Sequence, residues 1–165
     1  MEHNMIRLAR LSEKDREAVS EILTDKIVAK TYMVPDFTSQ EQVDKLFYRL
    51  AELSEGDARY VRGIYRGDTL VGFLNDVGID GDAVELGWVV HPRYRNRGYA
   101  TEGVKLAVEE LFATGFHRVE AGAFEENGAS IRVMEKCGMA RLEKTDEIAY
   151  RGRVCRCVYY GVEKP

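Results

Sequence analysis

The apolar residues of this chain follow two rhythms, one returning every second position and the other every third or fourth, and the switches between them mark the elements. Met5 to Leu11 (MIRLARL) sets apolar residues among arginines and reads as a short strand. Ser12, followed by Glu13 to Asp15, supplies the oxygen and the negative charge that favour a helix start. From Glu13 to about Leu23, the residues Ala18, Val19, Ile22 and Leu23 fall on one helical face; Ser39 to Leu53 repeats the pattern with Val43, Leu46, Phe47 and Leu50. Between them, Ala29 to Phe37 carries Tyr32, Pro35 and Phe37 and suits either a loop beside a pocket or a connector that tucks its aromatics into the core.

Three strand-like runs come next: Ala58 to Tyr65, Thr69 to Ile79 and Ala83 to Val90, separated by the turn signals Arg66-Gly67-Asp68 and Asp80-Gly81-Asp82. Such spacing predicts an antiparallel meander. Gly98 to Phe112 changes to helical spacing, with Ala100, Val104, Ala107, Val108, Leu111 and Phe112, and stops at Gly115. Phe116 to Phe124 returns to a strand, Asn127 to Cys137 to a helix closed by Gly138, and Met139 to Tyr150 and Arg153 to Val162 to two strands around Arg151-Gly152. No repeat or linker-like stretch interrupts this order, so a single domain over 1–165 with a mixed α/β sheet and helices on its faces is the economical architecture.

Composition narrows the class. The 165 residues suit one domain, and 45% hydrophobic with 32% charged residues marks a globular chain. With 24 Lys plus Arg against 28 Asp plus Glu, the net charge of −4 argues against nucleic acid as a partner. The N-terminal stretch is charged every few residues and builds no signal-peptide core, and no run reaches the ~20 apolar residues of a membrane span. A cytoplasmic protein without a membrane partner is expected. Cys137, Cys155 and Cys157, with three scattered histidines, make neither an easy disulfide framework nor a zinc site, so no metal is expected.

The candidate chemistry lies in Glu85 to Thr101 (ELGWVVHPRYRNRGYAT), where a strand stops at His91-Pro92 and an Arg-, Asn- and Gly-rich turn opens a helix. N–H groups at a helix start point outward with partial positive charge, and Gly98 and Ala100 leave the backbone uncovered. Arg93, Arg95 and Arg97 add charge, making a local anion site in an acidic protein. His91 is expected to turn towards solvent, and both it and His117 to be structural rather than catalytic.

Arg95-Asn96-Arg97-Gly98-Tyr99-Ala100 resembles the acetyl-coenzyme A binding motif [Q/R]-x-x-G-x-[G/A] of the GNAT acetyltransferase superfamily, in the context of a preceding strand and a following helix. His117 to Met139 resembles the family's strand-loop-helix block, with Asn127, Ser130 and Gly138 at the matching places. The Ser three residues after the Asn is similar to the RimL/RimJ-type subgroup, whose named members acetylate N-terminal amines of ribosomal proteins. The resemblance implies a mostly antiparallel sheet of about seven strands, splayed in the middle. It also implies acetyl-CoA as cosubstrate and transfer to a primary amine, a protein N-terminus before a polyamine or antibiotic. A non-catalytic acyl-CoA-binding module is the rival class.

By the same resemblance, the cosubstrate is held by Arg95, Asn96, Arg97, Gly98, Tyr99, Ala100 and Thr101, by the backbone of Val89 and Val90, and by Asn127. Many members use a Tyr four positions before the helix-closing Gly as the acid, but Met134 stands there, and Ser130 is the replacement, either as acid or as a helix-start residue. Glu85 is the first candidate for the base and Glu120 the second, with a water relay as the alternative. Tyr32 and Phe37 are expected to line the amine channel. The closing strand, with Tyr159 and Tyr160, fits a monomer or a homodimer.

Overall fold

In the computed structural model seven strands form one sheet in the order β1-β2-β3-β4-β5-β7-β6. The strands are β1 (Ile6–Ala9), β2 (Val61–Arg66), β3 (Thr69–Asp80), β4 (Ala83–Val90), β5 (Arg118–Phe124), β6 (Ala140–Tyr150) and β7 (Arg153–Glu163). The helices are α1 (Arg16–Thr24), α2 (Val28–Thr31), α3 (Gln40–Glu55), α4 (Tyr99–Ala113) and α5 (Gly128–Lys136). β1 with β2, β2 with β3, β5 with β7 and β6 with β7 pair antiparallel, whereas β4 and β5, joined through α4, pair parallel. The structure describes residues 5–165; Met1 to Asn4, the first part of the N-terminal stretch read for a leader, lie outside the described residues.

The chain divides into two compact units. One takes residues up to Asn75 with Trp88–Gly103, the other Asp76–Gly87 with Val104–Pro165. In the first, the helical faces predicted for α1 and α3 supply Val19, Ile22, Leu23, Val43 and Phe47 to a core completed by Tyr65 and Phe73. Ser12 and Asp15 bracket a 3₁₀ turn, Glu13–Asp15, that leads into α1, with the Ser12 N–H donating to the Asp15 carboxylate at 2.9 Å. Asp15 is buried and also accepts from the Tyr65 hydroxyl at 2.6 Å, which offsets the cost of burying a charge. The buried Ser54 hydroxyl accepts from the Leu11 N–H and donates to the Val61 carbonyl, stitching α3 to the segments that follow β1 and open β2.

The stretch read as irregular from Ala29 to Phe37 begins inside the one-turn helix α2. Asp25 makes this turn, because its Oδ1 accepts from the N–H groups of both Ile27 and Val28 at 2.9 Å. A four-residue helix offers no periodicity to find. β1 and β2 are each shorter than the apolar runs that announced them, whereas β3 and β4 begin where their turns place them.

In the second unit, the parallel register sets Ala83, Val84 and Glu85 against Arg118, Val119 and Glu120. Both strands continue past the last of these pairs. β7 runs antiparallel beside β5 and β6 closes the edge, paired back along β7. α5 ends where its sequence ends it: Gly138 has φ +81°, and the Met139 N–H returns to the Met134 carbonyl at 3.1 Å.

Candidate functional site

The Arg-, Asn- and Gly-rich loop is built within the first unit. The His91 N–H donates to the Val71 carbonyl at 2.7 Å and ends β4, and a 3₁₀ turn, Pro92–Tyr94, redirects the chain. Asn96 and Gly98 both take left-handed backbone conformations, with φ +62° and +79°. The Glu102 N–H donates to the Gly98 carbonyl at 3.1 Å, so Gly98 holds the position before the first helical residue, and Tyr99, Ala100 and Thr101 lead α4. A Cβ placed on Gly98 would meet nothing within 4 Å. Left-handed backbone, open room and a helix start coincide at this one glycine, which is what close approach of a phosphate requires. Arg93 and Arg97 are exposed and Arg95 half-buried, with the Arg97 guanidinium 6.0 Å from the centre of the Tyr94 ring. Val89 is buried and Val90 half-buried; a side chain at Gly72 would strike the Val89 carbonyl, so glycine there lets the two backbones approach closely.

His91 does not turn towards solvent, as its place at a strand end suggested. It is 7% exposed, its Nδ1 accepts from the Arg93 N–H at 3.1 Å, and its Nε2 lies 2.6 Å from Glu21 Oε2. Both ring nitrogens are engaged, so the ring is structural and has no lone pair left for proton abstraction. His117 is exposed at the start of β5.

In the second unit, Glu85 and Glu120 are register partners across β4 and β5, and their environments separate them. Burial pushes the Glu85 carboxyl above the ordinary carboxylate range; Lys144 pulls it down, while Glu120 and Asp146 push it further up. Burial acts in the same upward sense on Glu120, but Lys144, 2.9 Å away, and Arg118, at 2.8 Å, outweigh it and hold that carboxyl below its ordinary value. Glu120 is therefore the poorer base and Glu85 the better one. Sequence reasoning missed the rest of this group. The Tyr159 hydroxyl donates to Asp146 at 2.7 Å, and Lys144 sits 4.6 Å from the centre of the Tyr159 ring. Lys144 with Asp146, and Cys157 with Tyr159, stand two apart on strands, so each pair shares a face; the alternation was visible in the sequence but its neighbours were not.

Asn127 is the N-cap of α5, its Oδ1 accepting from the Ser130 N–H at 3.2 Å while its Nδ2 donates to Ser130 Oγ at 3.1 Å. The cap is thus the Asn, not the Ser. Ser130 Oγ accepts in this pair, which leaves its own hydrogen to be offered elsewhere. Met134, where many relatives of the resembled family place a tyrosine, is fully buried. Tyr32 and Phe37 belong to the first unit and pack against its core. The Tyr32 hydroxyl donates to Asn75 at 2.9 Å, and its ring meets Phe73 edge-on at 5.9 Å.

Among the described residues no helix is long and apolar enough to cross a membrane. Residues 6–140 match the acetyltransferase (GNAT) domain. The chain is 36% identical over 132 residues to the uncharacterized N-acetyltransferase YnaD of Bacillus subtilis (strain 168), a match covering 78% of this chain and 75% of that protein. It shares its fold, at TM-score 0.85 and 17% identity, with a RimL ribosomal alpha-N-protein acetyltransferase solved with coenzyme A, over 96% of this chain and 93% of that one. At TM-score 0.82 and 15% identity it shares it with a spermidine N-acetyltransferase from Vibrio cholerae solved with CoA and spermine, over 96% and 95% of the two chains. Matched through its loop, its helix start and most of its length, the chain belongs to the acetyltransferase (GNAT) family and is one of its acetyl-CoA-dependent N-acetyltransferases.

Proposed function

We propose that this enzyme acetylates primary amines and that its preferred acceptor is a protein N-terminal α-amine. The observation that carries the donor side is Gly98, left-handed and uncovered at the head of α4 with arginines on the approach. In this reading the backbone at Tyr99, Ala100 and Thr101 and the side chains of Arg95, Asn96 and Arg97 hold the pyrophosphate. Val89, Val90 and Asn127 hold the pantetheine amides, for which a strand edge and a carboxamide supply both donors and acceptors.

Glu85 takes the proton from the acceptor ammonium, directly or through water, and frees the nitrogen lone pair to attack the thioester carbonyl. A backbone N–H of β4 meets the developing oxyanion. As the C–S bond breaks, Ser130 passes its hydroxyl hydrogen to the departing sulfur and regains one from the acylated nitrogen, which sheds its second proton as the amide forms; Glu85 releases the first proton to water, and the products are the N-acetylated amine and free coenzyme A. Asn127 holds Ser130 Oγ while this happens. Tyr32 and Phe37 wall the acceptor side.

The protein N-terminus is favoured by Ser130 on the first turn of α5 together with Met134, rather than tyrosine, further along it. The carboxylates Glu85, Glu120 and Asp146 suit any cationic acceptor, so a polyamine is the second reading. Release of free coenzyme A from acetyl-CoA, measured beside a panel of N-terminal peptides and small amines, separates the two. Peptides should be turned over with the higher kcat/KM; turnover of polyamines alone would overturn the peptide assignment, and cosubstrate binding without turnover of any amine would make the chain a binding module.

A further inference from the structure

We infer that Glu21 and His91 form a positioning strut that holds the cosubstrate loop in shape from α1, an inference that rests on reading that loop as the pyrophosphate site. His91 stands between β4 and the loop and is fixed by its three hydrogen-bonding groups. Its main-chain N–H bonds Val71, its Nδ1 accepts from the Arg93 N–H, and its Nε2 meets Glu21 Oε2. An imidazole nitrogen that accepts from a backbone N–H carries no proton, so the ring hydrogen is on Nε2 and points at the Glu21 carboxylate. That choice of tautomer is the one the loop needs, because it leaves Nδ1 free to orient the Arg93 amide.

The contacts continue outward. The His91 ring lies 5.5 Å from the Tyr94 ring, centre to centre, and the Arg97 guanidinium stands over the other aromatic at 6.0 Å. Glu21, on α1, thus reaches the loop arginine through His91 and Tyr94 without itself being part of the loop. The strut acts before the chemistry, on the geometry that meets the pyrophosphate. Its loss should therefore weaken cosubstrate binding and leave the transfer step intact.

Glu21 is the better residue to change, since its side chain is 44% exposed and its removal opens no cavity in the core. Calorimetric titration with coenzyme A reads binding apart from any acceptor, and steady-state kinetics reads the chemistry. Glu21→Ala should weaken coenzyme A about tenfold, the size of one hydrogen bond to a charged group, with kcat and the KM for the amine within about twofold of the parent at saturating acetyl-CoA. Glu21→Gln, which keeps an acceptor for Nε2–H, should restore most of the affinity. His91→Asn keeps an acceptor in the place of Nδ1 but cannot reach Glu21, and should repeat the loss if Glu21→Ala does not fold.

Parent-like affinity in Glu21→Ala alongside lost affinity in Gly98→Val would overturn the strut while sparing the loop. Parent-like affinity in both would overturn the reading of the loop and the strut with it. A Glu21→Gln protein as weak as Glu21→Ala, or a fall in kcat at unchanged affinity, would also refute a positioning role through this hydrogen bond.

Discussion

Replacing Ser130 by alanine separates chemistry from architecture, because the structure sets very different sizes for the two effects. The N-cap bond, from the Ser130 N–H to Asn127 Oδ1, is a main-chain bond and survives the substitution; only the bond from Asn127 Nδ2 to Oγ is lost. That removes one partly buried hydrogen bond, ~0.5–1.5 kcal/mol, against which alanine returns up to ~0.5 kcal/mol of helix propensity. The net cost of about 1 kcal/mol or less lowers Tm by no more than about 4 °C for a chain of this length. Loss of a general acid, by contrast, costs ~10²–10⁴ in rate, equivalent to about 3–5 kcal/mol on the barrier. Thiol release at varied acetyl-CoA and varied amine, with a thermal melt of the same sample, reads both quantities. The expected outcome is a kcat at least about 100-fold lower with both Michaelis constants nearly unchanged, the mark of an interaction made in the transition state. A folded Ser130→Ala protein that turns over within about threefold of the parent would refute the acid role and leave Ser130 as a helix residue. Asn127→Ala removes the cap itself and should cost ~1 kcal/mol of stability, and because Asn127 also holds the pantetheine in this reading it should raise the KM for acetyl-CoA as well.

The acid limb of the pH dependence of kcat/KM should lie above the ordinary carboxylate range, because burial raises Glu85 and the base works only when ionised; Glu85→Gln should lower the rate and abolish that limb, and a limb that persists unchanged would assign it to another group. The same shift fixes a sign for stability. Folding favours protonated Glu85, so its contribution is complete below the ordinary glutamate value and is lost as pH rises through the elevated one, a slope that Glu85→Gln should remove from the melting profile. If Tyr32 and Phe37 wall the acceptor side, Tyr32→Phe, which deletes the hydroxyl's bond to Asn75, together with Phe37→Ala should raise the KM for the amine while leaving acetyl-CoA affinity unchanged; equal losses in both, or in neither, would place the acceptor elsewhere.

Local chemistry made most of the fold legible. Ser39 caps α3 through the Gln42 N–H, Gly67 and Gly81 take positive φ in the two turns of the meander, and Gly138 closes α5, each at a position its residue type announces. The loop from Arg95 to Ala100 was legible for the same reason, since a left-handed glycine and a helix start are consecutive in the chain. What sequence leaves open is long-range pairing. β7 lies between β5 and β6, and only that order brings Tyr159, Asp146 and Lys144 into the surroundings of Glu85 and Glu120 and decides which carboxylate is raised. His91 misled for a related reason: a polar residue before proline at a strand end is ordinarily solvated, and its partner Glu21 lies far away in sequence, on α1. The turn α2 depends on Asp25, whose capping bonds leave no periodic trace.

The most direct measurement is calorimetric titration of acetyl-CoA into the parent protein and into Gly98→Val. Valine at φ +79° costs about 1–2 kcal/mol for a left-handed L-residue, so a melt first establishes that the variant is folded at the temperature of titration. Its side chain then fills the open space above the loop where the pyrophosphate must approach the backbone. If the head of α4 holds the cosubstrate, the parent binds and the folded variant gives no measurable heat of binding; a folded Gly98→Val protein that binds acetyl-CoA with the parent's affinity would contradict the site.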